Sequence, residues 1–274
     1  MSLNKYYKEK DYAEALLKKR SFDVGAKGDL KVLAKYYKDQ GKSYKEIEAL
    51  LYEFTNTKGK KWFKKAVHFK LIDSAVNITR RKDNVIVQIE SVGIHKEELD
   101  YIDSLPYSYV EKKILFAMSV INKLKQERTK LKGLEVDYDV NYFGGGSFSY
   151  KTMLDSLQEK LTRTFCEKEI HKIIKKFNDD GLTRTSKTTS LELLYLKNIA
   201  YSDSSETALE IKDFDSLGLY YDSLYKPNTI KVCEECNINL VKITNSKNKY
   251  CKKCAFIVEK RMTNQRVKKF NNKD

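Results

Sequence analysis

The sequence predicts a mainly α chain (α+β) in three folded parts, and three observations carry that expectation. Amphipathic helical stripes, several opened by a Ser/Thr-x-x-Glu capping box, recur between residues 30 and 177. A closely spaced helix pair followed by a polar-tipped hairpin pattern occupies the middle of the chain. Four of the five cysteines stand near the end as two Cys-x-x-Cys pairs. The expected parts are an N-terminal helical unit with one strand over 1–106, a middle domain over 107–198, a linker over 199–230, and a small metal-bound module over 231–274.

Residues 1–24 are charged and weakly patterned, which predicts a helix leaning on the first unit. Leu30, Leu33, Ala34 and Tyr37 then recur at helical spacing, and Gly41 supplies a stop. Ser43-Tyr44-Lys45-Glu46 forms a capping box, with Ile47, Leu50, Leu51 and Phe54 as the buried face of a second helix. A third helix, around Trp62 to Ile72, closes a three-helix unit. Residues 84–92 alternate β-branched side chains and predict one strand. A short helix from Lys96 to Leu105 ends at Pro106. The stretch 28–75 resembles the small helical modules that follow the catalytic domain in some phage and plasmid primases. The layout from Gly41 to Ile47 equally fits a helix-turn-helix, and a packing bundle with no ligand is a third reading.

In the middle domain Ser108 and Glu111 make a second capping box, behind which Val110, Ile114, Ala117, Met118, Ile121 and Leu124 line one face of a long helix. Val136, Tyr138 and Val140 alternate and predict a short strand. Gly144-Gly145-Gly146 runs on into Ser147-Phe148-Ser149 without the Gly-Lys-Ser/Thr of a P-loop, so it reads as a flexible connection. Ser149 caps a helix bearing Tyr150, Met153, Leu154, Leu157 and Leu161. Thr164 and Glu167 box the next helix, with Ile170, Ile173, Ile174 and Phe177 as its stripe. Asn178 to Gly181 ends that helix, and residues 182–196 read as strand, polar turn, strand.

This layout of helix pair and hairpin resembles the winged-helix fold. The resemblance implies that the second helix enters a DNA major groove. Lys168, His171, Lys172, Lys175 and Lys176 fall on one arc opposite the isoleucines, and Arg184 and Lys187 on the hairpin extend it. That arc holds no Arg, Asn or Gln suited to bidentate base contacts, so it suits phosphates better than base edges. A Lys-rich solvent face and a protein-docking face are the competing readings.

Cys233 and Cys236, fourteen intervening residues, and Cys251 and Cys254 give two knuckles joined by a segment long enough to form a hairpin. Four thiolates at this spacing select one tetrahedral, structural Zn2+ with no open coordination position. Iron–sulfur or rubredoxin-type iron uses similar knuckles. Beyond Cys254 a helix is expected, with Ala255, Val258 and Met262 on an apolar stripe and Lys253, Lys260, Arg261, Asn264 and Lys268 on another arc. Arg266 and Lys269 add to a strongly basic tail, which favours polyanion contact through counterion release.

Across the chain, 53 Lys plus Arg stand against 38 Asp plus Glu, a formal net charge of +15. That excess points to nucleic acid, double-stranded DNA in the first instance. The start of the chain is polar and lacks the apolar core of a secretory signal, and Ile114 to Ile121 is too short to span a bilayer. A cytoplasmic protein with no membrane partner is expected. Abundant Lys, Asn, Ile and Tyr are what AT-rich coding produces.

No catalytic site is legible. His68, His95 and His171 are scattered. The pairs Asp137/Asp139 and Asp179/Asp180 lack the further ligands a nuclease needs. Cys166 reads as core filling, and no small-molecule substrate is implied. A ribbon ending Tyr-Cys-x-x-Cys-Ala before a basic helix, joined to a winged-helix-like domain, resembles small phage and mobile-element proteins of low-GC bacteria. The resemblance implies a non-enzymatic DNA-binding protein acting in replication or transcription control in a bacterial host cell. The alternative is an adaptor or inhibitor that binds a host protein such as a polymerase, replication or defence factor.

Overall fold

The computed structural model describes residues 2–23, 25–56, 65–138, 140–144, 150–157, 167–186, 190–201, 205–243 and 248–271, with backbone alone at 65–68, 167–168, 252–253 and 268–271. In chain order its elements are α1 (Leu3–Tyr7), α2 (Glu9–Lys19), α3 (Ala26–Asp39), α4 (Tyr44–Thr55), α5 (Lys65–Ile78), β1 (Val92–His95), α6 (Lys96–Ser104) and α7 (Tyr109–Leu131). There follow β2 (Tyr142–Phe143), α8 (Tyr150–Leu157), α9 (Glu167–Asp179), β3 (Thr183–Thr185), β4 (Leu191–Leu193), β5 (Thr207–Ile211), α10 (Leu217–Tyr225), β6 (Ile230–Val232), β7 (Leu240–Lys242) and α11 (Lys252–Asn271). The chain is mainly helical, as its stripes predict. Among the described residues no helix is long and apolar enough to cross a membrane. Trp62, Asp139, residues 145–149, Leu161, the Thr164 cap, Cys166 and Lys187 lie outside the described residues.

The chain divides into two compact units, Met1–Val92 with Ile121–Phe143, and Gly93–Val120 with Gly144–Asp274. Helix α7 contributes its first half to the second unit and its last half to the first.

In the first unit α3 lies against α2, α4 and α5. Leu30, Leu33 and Ala34 of α3 meet Ala13 and Leu16 of α2, Ile47 and Leu51 of α4, and Ile72 and Ala75 of α5 in one core. The expected capping box is present: the Ser43 amide donates to Glu46 Oε2 at 2.8 Å, and Ser43 Oγ accepts from the Glu46 amide at 3.4 Å. Such a cap contributes about 1 kcal/mol. A buried ion pair ties the helices, Lys35 Nζ lying 2.8 and 2.9 Å from the two carboxylate oxygens of Glu9.

The strand expected over 84–92 does not form. The Val87 amide donates to Glu9 Oε2 at 3.0 Å, the Glu9 amide to the Val87 carbonyl at 2.7 Å, and the Ile89 amide to the Tyr7 carbonyl at 2.9 Å. Val87 and Ile89 are buried as the alternation requires, but the pairing is a single bridge between Lys8 and Gln88. The regular strand, β1, begins at Val92. Among the described residues around Val136 to Val140 the expected strand is likewise absent. Helix α7 runs on to Leu131 and closes through Gly133, at φ +69°, whose amide bonds the Lys130 carbonyl. Tyr138 and Val140 are left exposed, with no sheet to face.

In the second unit residues 207–225, within the segment 199–230 read as a linker, form β5 and α10 and contribute to the core. Ile211, Phe214, Leu217, Leu219, Tyr220 and Tyr221 are all buried. Strand β5 pairs with β1, and α10 packs on α8 so closely that a Cβ on Gly218 would sit 1.8 Å from the Leu157 carbonyl oxygen. Apolar density here is too short and irregular to show periodicity, so only tertiary packing reveals it. A second buried ion pair, Lys113 Nζ to Asp222 Oδ1 at 2.7 Å, joins α7 to α10, and Tyr109 Oη donates to the same oxygen at 2.6 Å. The low-dielectric surroundings make either charge costly without the other.

Helix α9 buries Ile170, Ile174 and Phe177, and turns His171, Lys172, Lys175 and Lys176 to the surface, as its pattern predicts. Gly181, at φ +75°, turns the chain into an antiparallel hairpin that pairs Thr183 with Leu193, Arg184 with Glu192 and Thr185 with Leu191.

Candidate metal centre and nucleic-acid interface

The hairpin of β6 and β7 pairs Ile230 with Lys242 and Val232 with Leu240, which brings Cys233 to the end of its first strand. The Cys233 amide donates to the Asn239 carbonyl at 2.8 Å and the Asn237 amide to the Cys233 carbonyl at 3.0 Å. Asn237 takes φ +53°, a conformation its short polar side chain tolerates. The second knuckle is held to the first by two bonds between backbones and sulfurs or carbonyls. The Cys251 amide donates to Cys233 Sγ at 3.2 Å, and the Glu234 amide donates to the Lys249 carbonyl at 3.1 Å. Asn239 Nδ2 lies 3.4 Å from Cys251 Sγ.

The sulfurs of Cys233, Cys236, Cys251 and Cys254 all lie within 4.8 Å of one another. A tetrahedral ion with metal–sulfur bonds of about 2.3 Å needs sulfurs about 3.8 Å apart, so these residues fit one metal ion. Cys233, Cys251 and Cys254 are buried, and Val241 and Tyr250 pack over them. Burial raises the Cys233 thiol, but the amides of Cys236, Cys251 and Glu235 outweigh it and bring the thiol down to about 6. Burial and the three neighbouring thiols push Cys254 upward. A cation held by these four sulfurs would supply the charge that lets all four ionise together.

Helix α11 grows out of the second knuckle, the Ala255 amide bonding the Cys251 carbonyl at 2.8 Å. From Ala255 to Val267 every residue is exposed except Val258, which is half-buried. The apolar stripe expected of Ala255, Val258 and Met262 is therefore not a packing stripe: Met262 is 50% exposed and Phe256 is 70% exposed. Among the described residues the helix is held at its base and by Arg261. Its twenty residues extend about 30 Å and carry Lys252, Lys253, Lys260, Arg261, Arg266, Lys268 and Lys269 against one acid, Glu259. Lys260 and Arg266 are exposed, and Arg261 Nη2 donates to Glu235 Oε1 at 2.5 Å. The side chains of Lys253, Lys268 and Lys269 lie outside the described residues.

The α9 face differs. Lys172 pairs with Glu169 at 2.9 Å, and Lys176 pairs with Glu111 at 2.8 Å while lying 4.7 Å from the Tyr107 ring centroid. Arg184 donates twice to Glu192 Oε2, at 3.0 and 2.5 Å, and Lys197 bonds the other oxygen at 3.1 Å. His171 meets the Tyr150 ring edge-on at 5.7 Å between centroids. Lys175 is exposed, and the Lys168 side chain and Lys187 lie outside the described residues. A phosphate arriving here would compete with carboxylates already in place. The helical pattern could not announce Glu111, which is distant in sequence, whereas Glu192 is legible once Arg184 is placed opposite it in the hairpin.

No protein-family model, curated protein or solved structure matches the chain.

Proposed function

We propose that the protein is a non-enzymatic, double-stranded DNA-binding protein in which one structural zinc ion, held by Cys233, Cys236, Cys251 and Cys254 as a zinc ribbon, carries a basic DNA-contacting helix. The observation behind this reading is α11 itself. A helix exposed from Ala255 to Val267 but for half-buried Val258, with a one-sided charge, suits a polyanion as its partner, and each phosphate it neutralises releases counterions. Most helical stability in proteins comes from packing, so docking this exposed helix on a partner adds stability as well as affinity. The middle domain, as a winged helix, supplies a secondary contact through Lys175 and the hairpin. The setting that fits is replication or transcription control in a phage or mobile element.

Fluorescence anisotropy on a labelled duplex tests this. The zinc-loaded chain is expected to bind at low salt and to lose affinity with a slope of log K against log salt on the order of −4 to −6, from about six phosphate contacts. Substituting Lys260, Arg266 and Lys268 by Glu should flatten that slope. No binding at low salt would overturn the proposal.

The exposed Phe256, Ile257, Met262 and Val267 favour a second reading, an adaptor that docks a host protein. A partner retained from host lysate after nuclease treatment, with no duplex binding by the purified chain, would support it instead.

A further inference from the structure

Helix α11 carries more than charge. Taken at 3.6 residues per turn, Ile257, Arg261, Asn264, Gln265 and Lys268 fall on one strip along the helix. Lys260 lies on one flank of that strip and Lys269 on the other. Phe256, Thr263 and Val267 occupy a neighbouring strip, and Glu259 faces away from the Asn264–Gln265 line. Asn264 and Gln265 are exposed, and neither side chain has a hydrogen-bond partner among the described residues. These are the amide side chains that the α9 arc lacks. Arg261 is engaged by Glu235 from the first knuckle, which steadies the strip's orientation on the metal module.

We propose that α11 is a major-groove reading helix, with Asn264 and Gln265 contacting adenine edges and Lys260 holding a phosphate beside the groove. This rests on the DNA-binding reading above and adds sequence selectivity to it. The geometry is compatible. A helix is about 10–12 Å across, and the major groove is about 12 Å wide. From Ile257 to Lys268 the strip runs about 16 Å, or about five base-pair steps of 3.4 Å. An amide side chain can donate to adenine N7 and accept from its N6 amino group in one bidentate contact, which no other base offers in that groove. Ile257, 52% exposed at the start of the strip, presents an apolar surface suited to a thymine methyl. The expected target is therefore a short duplex element with A·T pairs at its centre.

The test is selection from a random duplex pool with the full, zinc-loaded chain, followed by affinity measurements on the enriched duplex and on a scrambled one. An enriched A·T-containing element is expected, bound at least tenfold more tightly than the scrambled duplex. The double variant Asn264→Ala, Gln265→Ala should lose that preference while its binding to scrambled duplex changes less than twofold. Replacing the central adenines by 7-deazaadenine, which removes the N7 acceptor, should reduce wild-type affinity and leave the double variant unaffected. Circular dichroism matched to wild type shows that the variant is folded. Salt-sensitive duplex binding without enrichment, or indifference to 7-deazaadenine, overturns the base-reading inference and leaves the DNA-binding proposal standing. Absence of duplex binding removes both.

Discussion

Arg261, two turns beyond Cys254, donates from Nη2 to Glu235 Oε1 at 2.5 Å and so ties α11 to the first metal knuckle. Both side chains remain partly exposed, at 54% and 31%, so the pair contributes at most about 1 kcal/mol to stability. Its larger effect is on what α11 presents, because Glu235 is a carboxylate beside a helix otherwise rich in cations. Glu235→Gln is expected to leave the unfolding midpoint nearly unchanged and to tighten duplex binding severalfold, as read by anisotropy at fixed salt. Unchanged or weaker binding would take Arg261 out of the interface.

Metal removal should act locally. The cluster of four cysteines holds β6, β7 and the base of α11 with little apolar core beyond Val241 and Tyr250. A strong chelator, or Cys236→Ser, is expected to release one zinc equivalent and melt the helicity of α11. The four-helix core of the first unit should stay intact, because it shares no residue with this cluster. Hydrogen exchange resolved by segment would separate the two; uniform loss of protection would contradict a local role.

Gly218 is the tightest backbone approach described, since its Cβ position overlaps the Leu157 carbonyl, and backbone cannot rotate away as a side chain would. Gly218→Ala is expected to force α10 from α8 and destabilise the second unit by about 1–3 kcal/mol. Thermal unfolding monitored through that unit should show a midpoint several degrees lower. An unchanged midpoint would mean that the two helices separate at little cost.

Glu192 is held below the ordinary glutamate range by hydrogen bonds from Arg184 and then Lys197, and burial opposes this only in part. A carboxyl whose folded pKa is depressed contributes stability that is fully present above its unfolded pKa, near 4.3, and is lost as pH falls through the folded value. Glu192→Gln should therefore show a shallower loss of stability than wild type between about pH 4.5 and 3. Parallel acid-denaturation curves would show that the hairpin pair makes no such contribution.

What the chain announces in advance is local. Ser43 with Glu46, and the isoleucines of α9, place helices because the signal lies within one or two turns. The four cysteines declare a metal site because ligand spacing is itself local at each knuckle. Three of the failures involve distant partners. Val87 and Ile89 alternate like a strand, yet their partner is the junction of α1 and α2, which allows one bridge. Phe214 to Tyr221 reads as part of a linker because what buries it, Leu157 included, lies far away in sequence. Lys176 and Arg184 read from the sequence as part of a basic arc because Glu111 and Glu192 come to them only through tertiary structure and hairpin register.

Helix α7 has a consequence for synthesis on the ribosome. The four-helix core between Ala13 and Val76 is complete once α5 has emerged, so it can form early. The first helix cannot finish docking then, because the Tyr6 ring is covered by the Arg128 guanidinium at 4.0 Å and bonded by it. Nor can Asn122 find Asn141, its partner at 2.7 Å. With elongation at about 5–20 residues per second, several seconds separate the two events, and through that interval the nascent chain exposes the surface that α7 later covers.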